Sequence, residues 1–301
     1  MPVATRRITV ALLKSSHPGP GVAVTLVAVL LGVGVGLPPE RLLFVALAVW
    51  ANQLSVGISN DWLDADRDRS VGRTDKPVAR GDITAQTART AALSTAAAAV
   101  VLTLPLGGAT TVAHVGFIVS AWAYNLGMKR TIASVIPYLV SFGLLPLIVT
   151  LSLPTPSAAA PWAIGAGALL GAAAHFANVL PDLGDDRATG VRGFPHRLGQ
   201  TGTVLGTWLV LAGAGVLVFL GASGALSRGT GGTGSTPAAE AVAAIVSTAP
   251  LIGLVVTLAI AVFGTVLGLS RPPSRLSFQL IIAAALVTVA LLALAGQHLL
   301  A

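Results

Sequence analysis

The chain has 301 residues, of which 54% are hydrophobic and only 10% charged, with a mean hydropathy of +0.84. Soluble domains carry about 25% charged residues, so a water-soluble globule is excluded as the reading and most of the chain is expected in a bilayer. Cysteine is absent, which excludes disulfides, thiolate nucleophiles and Cys-ligated metal sites; the net charge of +7, with 5% aromatics, sits in short loops between apolar runs and reads as membrane topology, with no nucleic-acid partner.

A membrane-crossing helix needs about 20 mostly apolar residues. Nine such stretches follow in chain order: 18–37, 42–60, 88–107, 111–128, 131–152, 161–180, 202–222, 243–268 and 276–297. Apart from Arg89, near the edge of the third, none holds an Asp, Glu, Lys or Arg. Prolines inside them, such as Pro137 and Pro146, are tolerated in membrane helices. Residues 1–17 carry Arg6, Arg7 and Lys14 with no compact apolar core before a cleavage site, so they read as the basic flank of a retained first helix. The Gly/Ser/Thr-rich stretch 223–237 reads as a linker.

With nine spans the loops alternate sides. One side collects Arg6, Arg7, Lys14, Arg67, Arg69, Arg73, Lys76, Arg80, Arg89, Lys129, Arg130, Arg187, Arg192, Arg197, Arg271 and Arg275. The other receives only Arg41 and Arg228. By the positive-inside rule the N-terminus is cytoplasmic and the C-terminus outside. Of eleven acidic residues, six lie in the loop after the second span (Asp61, Asp64, Asp66, Asp68, Asp75, Asp82) and three after the sixth (Asp182, Asp185, Asp186), both on the cytoplasmic side.

Those two loops are related. NDWLDADRDRSVG at 60–72 and NVLPDLGDDRATG at 178–190 align without a gap at an offset of 118 residues. Asn60 matches Asn178, Asp64 matches Asp182, Asp68 matches Asp186, Arg69 matches Arg187 and Gly72 matches Gly190. An offset spanning four helices restores the same sidedness, which predicts a parallel internal duplication. The fold expectation is therefore all-α: a polytopic membrane protein with nine transmembrane helices and an internal parallel repeat. It forms a single domain over 1–301, with repeat units 18–130 and 131–269 and a ninth helix at 276–297.

The spacing Asn-x3-Asp-x3-Asp occurs twice. Steps of four on a helix keep the three side chains within an arc of about 80°. Like charges four apart repel, so a face that stacks them needs a cation between them. Oxygen ligands without His or Cys favour Mg²⁺ over zinc, and Mg²⁺ held by one or two carboxylates completes its shell with water and substrate phosphate. Two facing clusters would cage a diphosphate with its metals. Pro181, inside the second motif, is expected to kink or end the sixth helix.

On these residues the chain resembles the UbiA superfamily of intramembrane aromatic prenyltransferases. The first family signature, NDxxDxxxD, is matched by Asn60, Asp61, Asp64 and Asp68, and the second, DxxxD, by Asp182 and Asp186. RTDKPVARG (73–81) is similar to the family's segment of basic residue, Pro and terminal Gly, and YNLGMKRT (124–131) to its Tyr and Lys/Arg motif. The resemblance implies Mg²⁺-dependent transfer of a prenyl group from an isoprenyl diphosphate to a small, aromatic, quinone-precursor-like acceptor, within membrane lipid. It implies two or more Mg²⁺ ions bridging the diphosphate to Asn60, Asp64, Asp68, Asp182 and Asp186. It further implies Lys129 as a catalytic cation, with Asp61, Arg73, Lys76, Tyr124, Arg130 and Asn178 bordering the substrate. The family's Arg after the second motif Asp is replaced here by Ala65, with Arg67 the available substitute.

Intramembrane polar residues read as functional by default. His175 stands three and seven residues before Asn178 and Asp182; it is expected to bind the acceptor or receive a proton, or else to hydrogen-bond a neighbouring helix. Asn52, eight residues before Asn60, is expected either to line the cavity or to bond between helices; Asn125 is expected to border the donor site; His114 is expected to pack; Trp62, Trp122 and Trp162 are expected to anchor at the interface. Two other functions fit parts of the pattern. A UbiA-type terpene cyclase would use the same cage without an acceptor, and a membrane transporter would use the acids as gates.

Overall fold

In the computed structural model, residues 3–183, 190–226, 237–271 and 275–301 are described, side chains excepted at 3–5, 182, 237–247, 275 and 278. The described residues are helical, joined by short turns. In chain order the helices are α1 (Val3–Ser15), α2 (Pro18–Gly34), α3 (Pro39–Leu63), α4 (Ala65–Ser70), α5 (Pro77–Arg80), α6 (Ala85–Thr103) and α7 (Gly108–Leu126). They continue with α8 (Ile136–Leu151), α9 (Pro161–Val179), α10 (Phe194–Ala222), α11 (Pro237–Ser270) and α12 (Arg275–Leu294).

Proline opens α2, α3, α5, α8, α9 and α10 within their first two residues, where its missing N–H has no partner to lose. Each of the nine expected windows holds a helix. Among the described residues, however, only six are long and apolar enough to cross a membrane, or seven if Arg6–Ser15 and Pro18–Gly34, bent by 67°, form one span. The count of nine therefore stays an expectation. In α7, Thr110, Thr111, His114, Ser120 and Asn125 dilute the apolar run, and the described apolar part of α12 is only Gln279–Leu294. The basic flank before the first window is itself the helix α1, whose Arg6, Arg7 and Lys14 leave too short an apolar run for a search for continuous spans.

Helices adjacent in sequence pack side by side, and α12 returns against α2 to close a ring. Aliphatic side chains such as Leu209 and Val112 face outward, while Asn52, Ser55, Ser59, Asp61, His114 and His175 are buried inside. That distribution suits lipid outside and polar chemistry within. Close approach depends on small residues: a Cβ on Gly57 would collide with the Ser16 carbonyl, and one on Gly171 with the Tyr138 carbonyl. The first contact seats the α1–α2 corner on α3; the second brings α9 against α8 beside His175. Two of the tryptophans expected as anchors are internal: Trp162 is buried against Gly221, and Trp122 donates from Nε1 to Ser55 Oγ at 3.0 Å. Burial of the indole outweighs the interface for Trp162, and a polar partner inside the bundle does so for Trp122.

Candidate functional site

The first acidic motif straddles the end of α3. Asp64 joins α3 to α4 with φ −94° and ψ 0°. The backbone ladder nonetheless continues: Asp64 N–H donates to Asn60 C=O at 3.0 Å and Asp68 N–H to Asp64 C=O at 2.8 Å. The 3.6-residue period therefore survives the joint, and Asn60, Asp64 and Asp68 share one face as their spacing predicts. Asn60 Nδ2 donates to Asp64 Oδ2 at 3.2 Å.

Three cations converge on this face. Lys129, in the 3₁₀ turn Met128–Arg130 after α7, donates from Nζ to Asp64 Oδ1 at 2.6 Å and Oδ2 at 2.5 Å. Arg67 reaches back to Asp64 Oδ2 at 3.1 Å and Asp68 Oδ1 at 3.4 Å. Lys76 Nζ donates to Asn60 Oδ1 at 3.4 Å. Asp64, Asp68, Lys76 and Lys129 are all buried. Burial lowers the Lys129 ammonium from its ordinary value against the opposing pull of Asp64. Burial also raises the Asp68 carboxyl, an effect that Arg67 only partly offsets.

Asn125 ties α7 to this face. Its Nδ2 donates to Val56 C=O at 2.9 Å and Ser59 Oγ at 2.8 Å, and its Oδ1 accepts from Asn60 Nδ2 at 3.3 Å. Asp61 turns the other way: it accepts from Ser15 Oγ at 2.6 Å and Val78 N–H at 3.3 Å, pinning α1 and α5 to α3. Arg73 lies on the surface in a bidentate pair with Asp75, both bonds at 2.8 Å. That pairing holds the Asp75 carboxyl down at about 2. Arg130 is exposed at the end of its turn.

A second group gathers beside the first. Tyr124, one residue before Asn125, stacks edge-on against Tyr138 with ring centroids 5.1 Å apart, and against His175 at 5.6 Å. Tyr138 and His175 are 4.8 Å apart, and Asn178 Nδ2 donates to Tyr138 Oη at 3.2 Å. His175 Nε2 shares a 3.0 Å hydrogen bond with Ser134 Oγ, which also accepts from Phe194 N–H at 2.8 Å. Asn52 is fully buried, and neither amide atom has a hydrogen-bond partner.

As expected of Pro181, α9 ends at Val179 and a 3₁₀ turn, Leu180–Asp182, follows. The Asp182 side chain and all of Asp186 lie outside the described residues. The chain re-enters at Gly190, whose φ of +78° matches the +71° of its repeat partner Gly72. A Cβ on Gly193 would press on the Lys129 carbonyl and Ser134 Oγ, each at 2.8 Å. At Gly193 the chain thus packs against the turn that carries Lys129.

Among the described residues no three His, Asp or Glu side chains lie close enough to hold a metal ion together. The donor set still suits Mg²⁺. It offers two carboxylates and an amide oxygen, and buried Asp68 Oδ2 has no hydrogen-bond partner; Mg²⁺ takes few protein ligands and fills its octahedron with water and phosphate. Residues that the sequence reading did not single out are His17, Tyr138 and Ser134; of these only Tyr138, an aromatic within an apolar span, left a signal in the sequence.

Comparison with known proteins agrees with this architecture. A family model described as the UbiA prenyltransferase family matches residues 21–249. A structure of a UbiA homolog from Archaeoglobus fulgidus bound to GPP and Mg²⁺ superposes with a TM-score of 0.62 at 15% identity, covering 94% of this chain and 98% of that one. The apo structure of a UbiA homolog from Aeropyrum pernix K1 gives 0.66 at 18% identity, covering 89% and 96%. A structure of digeranylgeranylglyceryl phosphate synthase gives 0.64 at 14% identity, covering 96% and 97%. No curated protein matches the sequence.

Proposed function

Because the chain belongs to the UbiA prenyltransferase family, we propose that it transfers a prenyl group from an isoprenyl diphosphate to a small aromatic acceptor within the bilayer. Its apolar helices and its family make it an integral membrane protein. We propose that the N-terminus and both acidic loops face the cytoplasm and the C-terminus the outside, as the basic-residue asymmetry implies. The observation that carries the reading is the face of Asn60, Asp64 and Asp68 met by buried Lys129 and Lys76. Solved homologues described as bound to GPP or DMAPP with Mg²⁺ support the donor class.

Asn60, Asp64 and Asp68, with Asp182 and Asp186, would hold two or more Mg²⁺ ions, which when bound supply charge that makes diphosphate a better leaving group. Lys129 and Lys76 donate N–H bonds to diphosphate oxygens as the allylic C–O bond breaks and its electron pair leaves with the diphosphate. Arg73 and Arg130 add positive potential at the entrance. The allylic cation is kept from water by the apolar interior, with the rings of Tyr124 and Tyr138 nearby. The acceptor's electron-rich carbon attacks, and the ring proton it displaces must be taken up. In the tautomer where His175 Nε2–H donates to Ser134 Oγ, Nδ1 carries a lone pair without a partner and takes that proton. Asn178, Tyr138 and Asn52 offer hydrogen bonds to polar substituents of the acceptor. Matching left-handed Gly72 and Gly190 support the proposed repeat.

The test uses purified protein in nanodiscs with Mg²⁺ and geranyl, farnesyl or geranylgeranyl diphosphate, with and without an aromatic acceptor mixture, alongside Asp64→Ala and Asp182→Ala. A prenylated product that needs the acceptor and disappears in both variants supports the transferase. Pyrophosphate release with a cyclic hydrocarbon and no acceptor would establish a cyclase instead.

A further inference from the structure

His17 is the only non-glycine residue with positive φ among the described residues, at φ 51° and ψ 63°. A side chain in that left-handed region is strained, which glycine avoids and asparagine reduces. The strain sits at the corner between α1 and α2, pressed on α3 through Ser16 and Gly57 and tied there by Ser15 Oγ to Asp61. The corner aims the imidazole at Lys76, with Nζ 2.8 Å from His17 Nε2.

An ammonium has protons and no lone pair. His17 Nε2 must therefore accept, which fixes the neutral ring with its proton on Nδ1. The remaining directions of the Lys76 ammonium meet Asn60 Oδ1 at 3.4 Å and Asp61 Oδ1 at 3.6 Å. The buried Asp61 carboxylate supplies the opposing charge, and the imidazole makes the shortest of the three contacts and so sets the direction of the ammonium. Lys76 is otherwise a flexible stem at the start of α5.

We infer that His17 is a positioning residue: its neutral imidazole holds the Lys76 ammonium beside Asn60, where the donor diphosphate is read. The inference rests on the proposed reading of Lys76 as a diphosphate contact. It gives the N-terminal corner a part in donor binding, although the corner lies about 60 residues before Lys76 in the chain.

The experiment measures binding of inorganic pyrophosphate with Mg²⁺ by calorimetry, and KM and kcat for geranyl diphosphate, on the full chain in nanodiscs. The variants are His17→Gly, which removes the ring and relaxes the backbone, and His17→Gln, which keeps an acceptor at similar reach. Lys76→Met and the double variant His17→Gly/Lys76→Met complete a cycle. His17→Asn, compatible with positive φ but too short to reach Lys76, serves if the glycine variant does not fold. Loss of one charge-assisted hydrogen bond predicts about tenfold weaker pyrophosphate binding and a similar rise in KM, with kcat changed less. His17→Gln recovers most of it, and His17→Gly adds nothing once Lys76 is gone. Wild-type binding by His17→Gly, or losses that add in the double variant, would overturn the inference while leaving the donor reading intact. Wild-type pyrophosphate binding by Lys76→Met would overturn the reading of Lys76 and this inference with it.

Discussion

Lys129 Nζ lies 2.6 and 2.5 Å from the two carboxylate oxygens of Asp64, with both side chains buried. The pair joins the turn after α7 to the joint between α3 and α4, and so fixes the width of the acidic face. Removing Asp64 leaves the Lys129 charge buried and unpaired, and removing Lys129 leaves Asp64 with Arg67 as its remaining cation, a loss of up to about 3–5 kcal/mol. Lys129→Met should therefore destabilise the protein, and Asp64→Asn/Lys129→Met should recover part of that loss. Thermal unfolding in detergent measures both, with Asp64→Asn alone completing the cycle; losses that add in the double variant would show that the pair is not coupled.

Activity should also fall on the alkaline side earlier than an ordinary lysine would dictate. Burial lowers the Lys129 ammonium below its ordinary value, so its proton, and the positive charge it offers a leaving diphosphate, is lost at a lower pH. The alkaline limb of kcat/KM reports this. Lys129→Arg, which stays charged, should move that limb to higher pH even if the maximal rate drops. An unchanged limb would assign the titration to another group.

Ser134 links the two halves of the site. It accepts from Phe194 N–H, shares a hydrogen bond with His175 and sits against Gly193. Ser134→Ala strands a backbone donor and a ring nitrogen, for about 1–3 kcal/mol. Limited proteolysis should then cut faster between 183 and 193, with little change after Ser134→Thr if the methyl is accommodated.

Tyr138→Phe removes the hydroxyl that accepts from Asn178 while keeping the ring contacts with Tyr124 and His175. If this wall receives the acceptor, KM for the acceptor should rise about threefold to thirtyfold and KM for the diphosphate should not. Steady-state kinetics with each substrate varied in turn decides the matter. A change confined to the donor would move the wall to the prenyl side.

The apolar windows, the basic asymmetry and the Asn-x3-Asp-x3-Asp spacing are local, and helix geometry alone turns them into an all-helical bundle with Asn60, Asp64 and Asp68 on one face. Pro181 likewise carried its own consequence, since a residue without an amide proton cannot continue α9. The span count was less secure because hydropathy measures apolar length, and α7 exchanges some of that length for the polar side chains that serve the interior.

Only the tertiary structure decided which charges meet. The family resemblance put Asp61, Arg73 and Arg130 in the same group as Asp64, whereas folding turned Asp61 toward Ser15, Val78 and Lys76 and left the other two at the surface. It brought Lys129 to Asp64 across 65 residues, Lys76 to His17 across 59 and His175 to Ser134 across 41. Such pairings depend on which helices pack together, and that is set by close approach at glycines such as Gly57 and Gly171. Local sequence dictates where a side chain points on its own helix; what lies opposite is fixed by the packing of the whole ring.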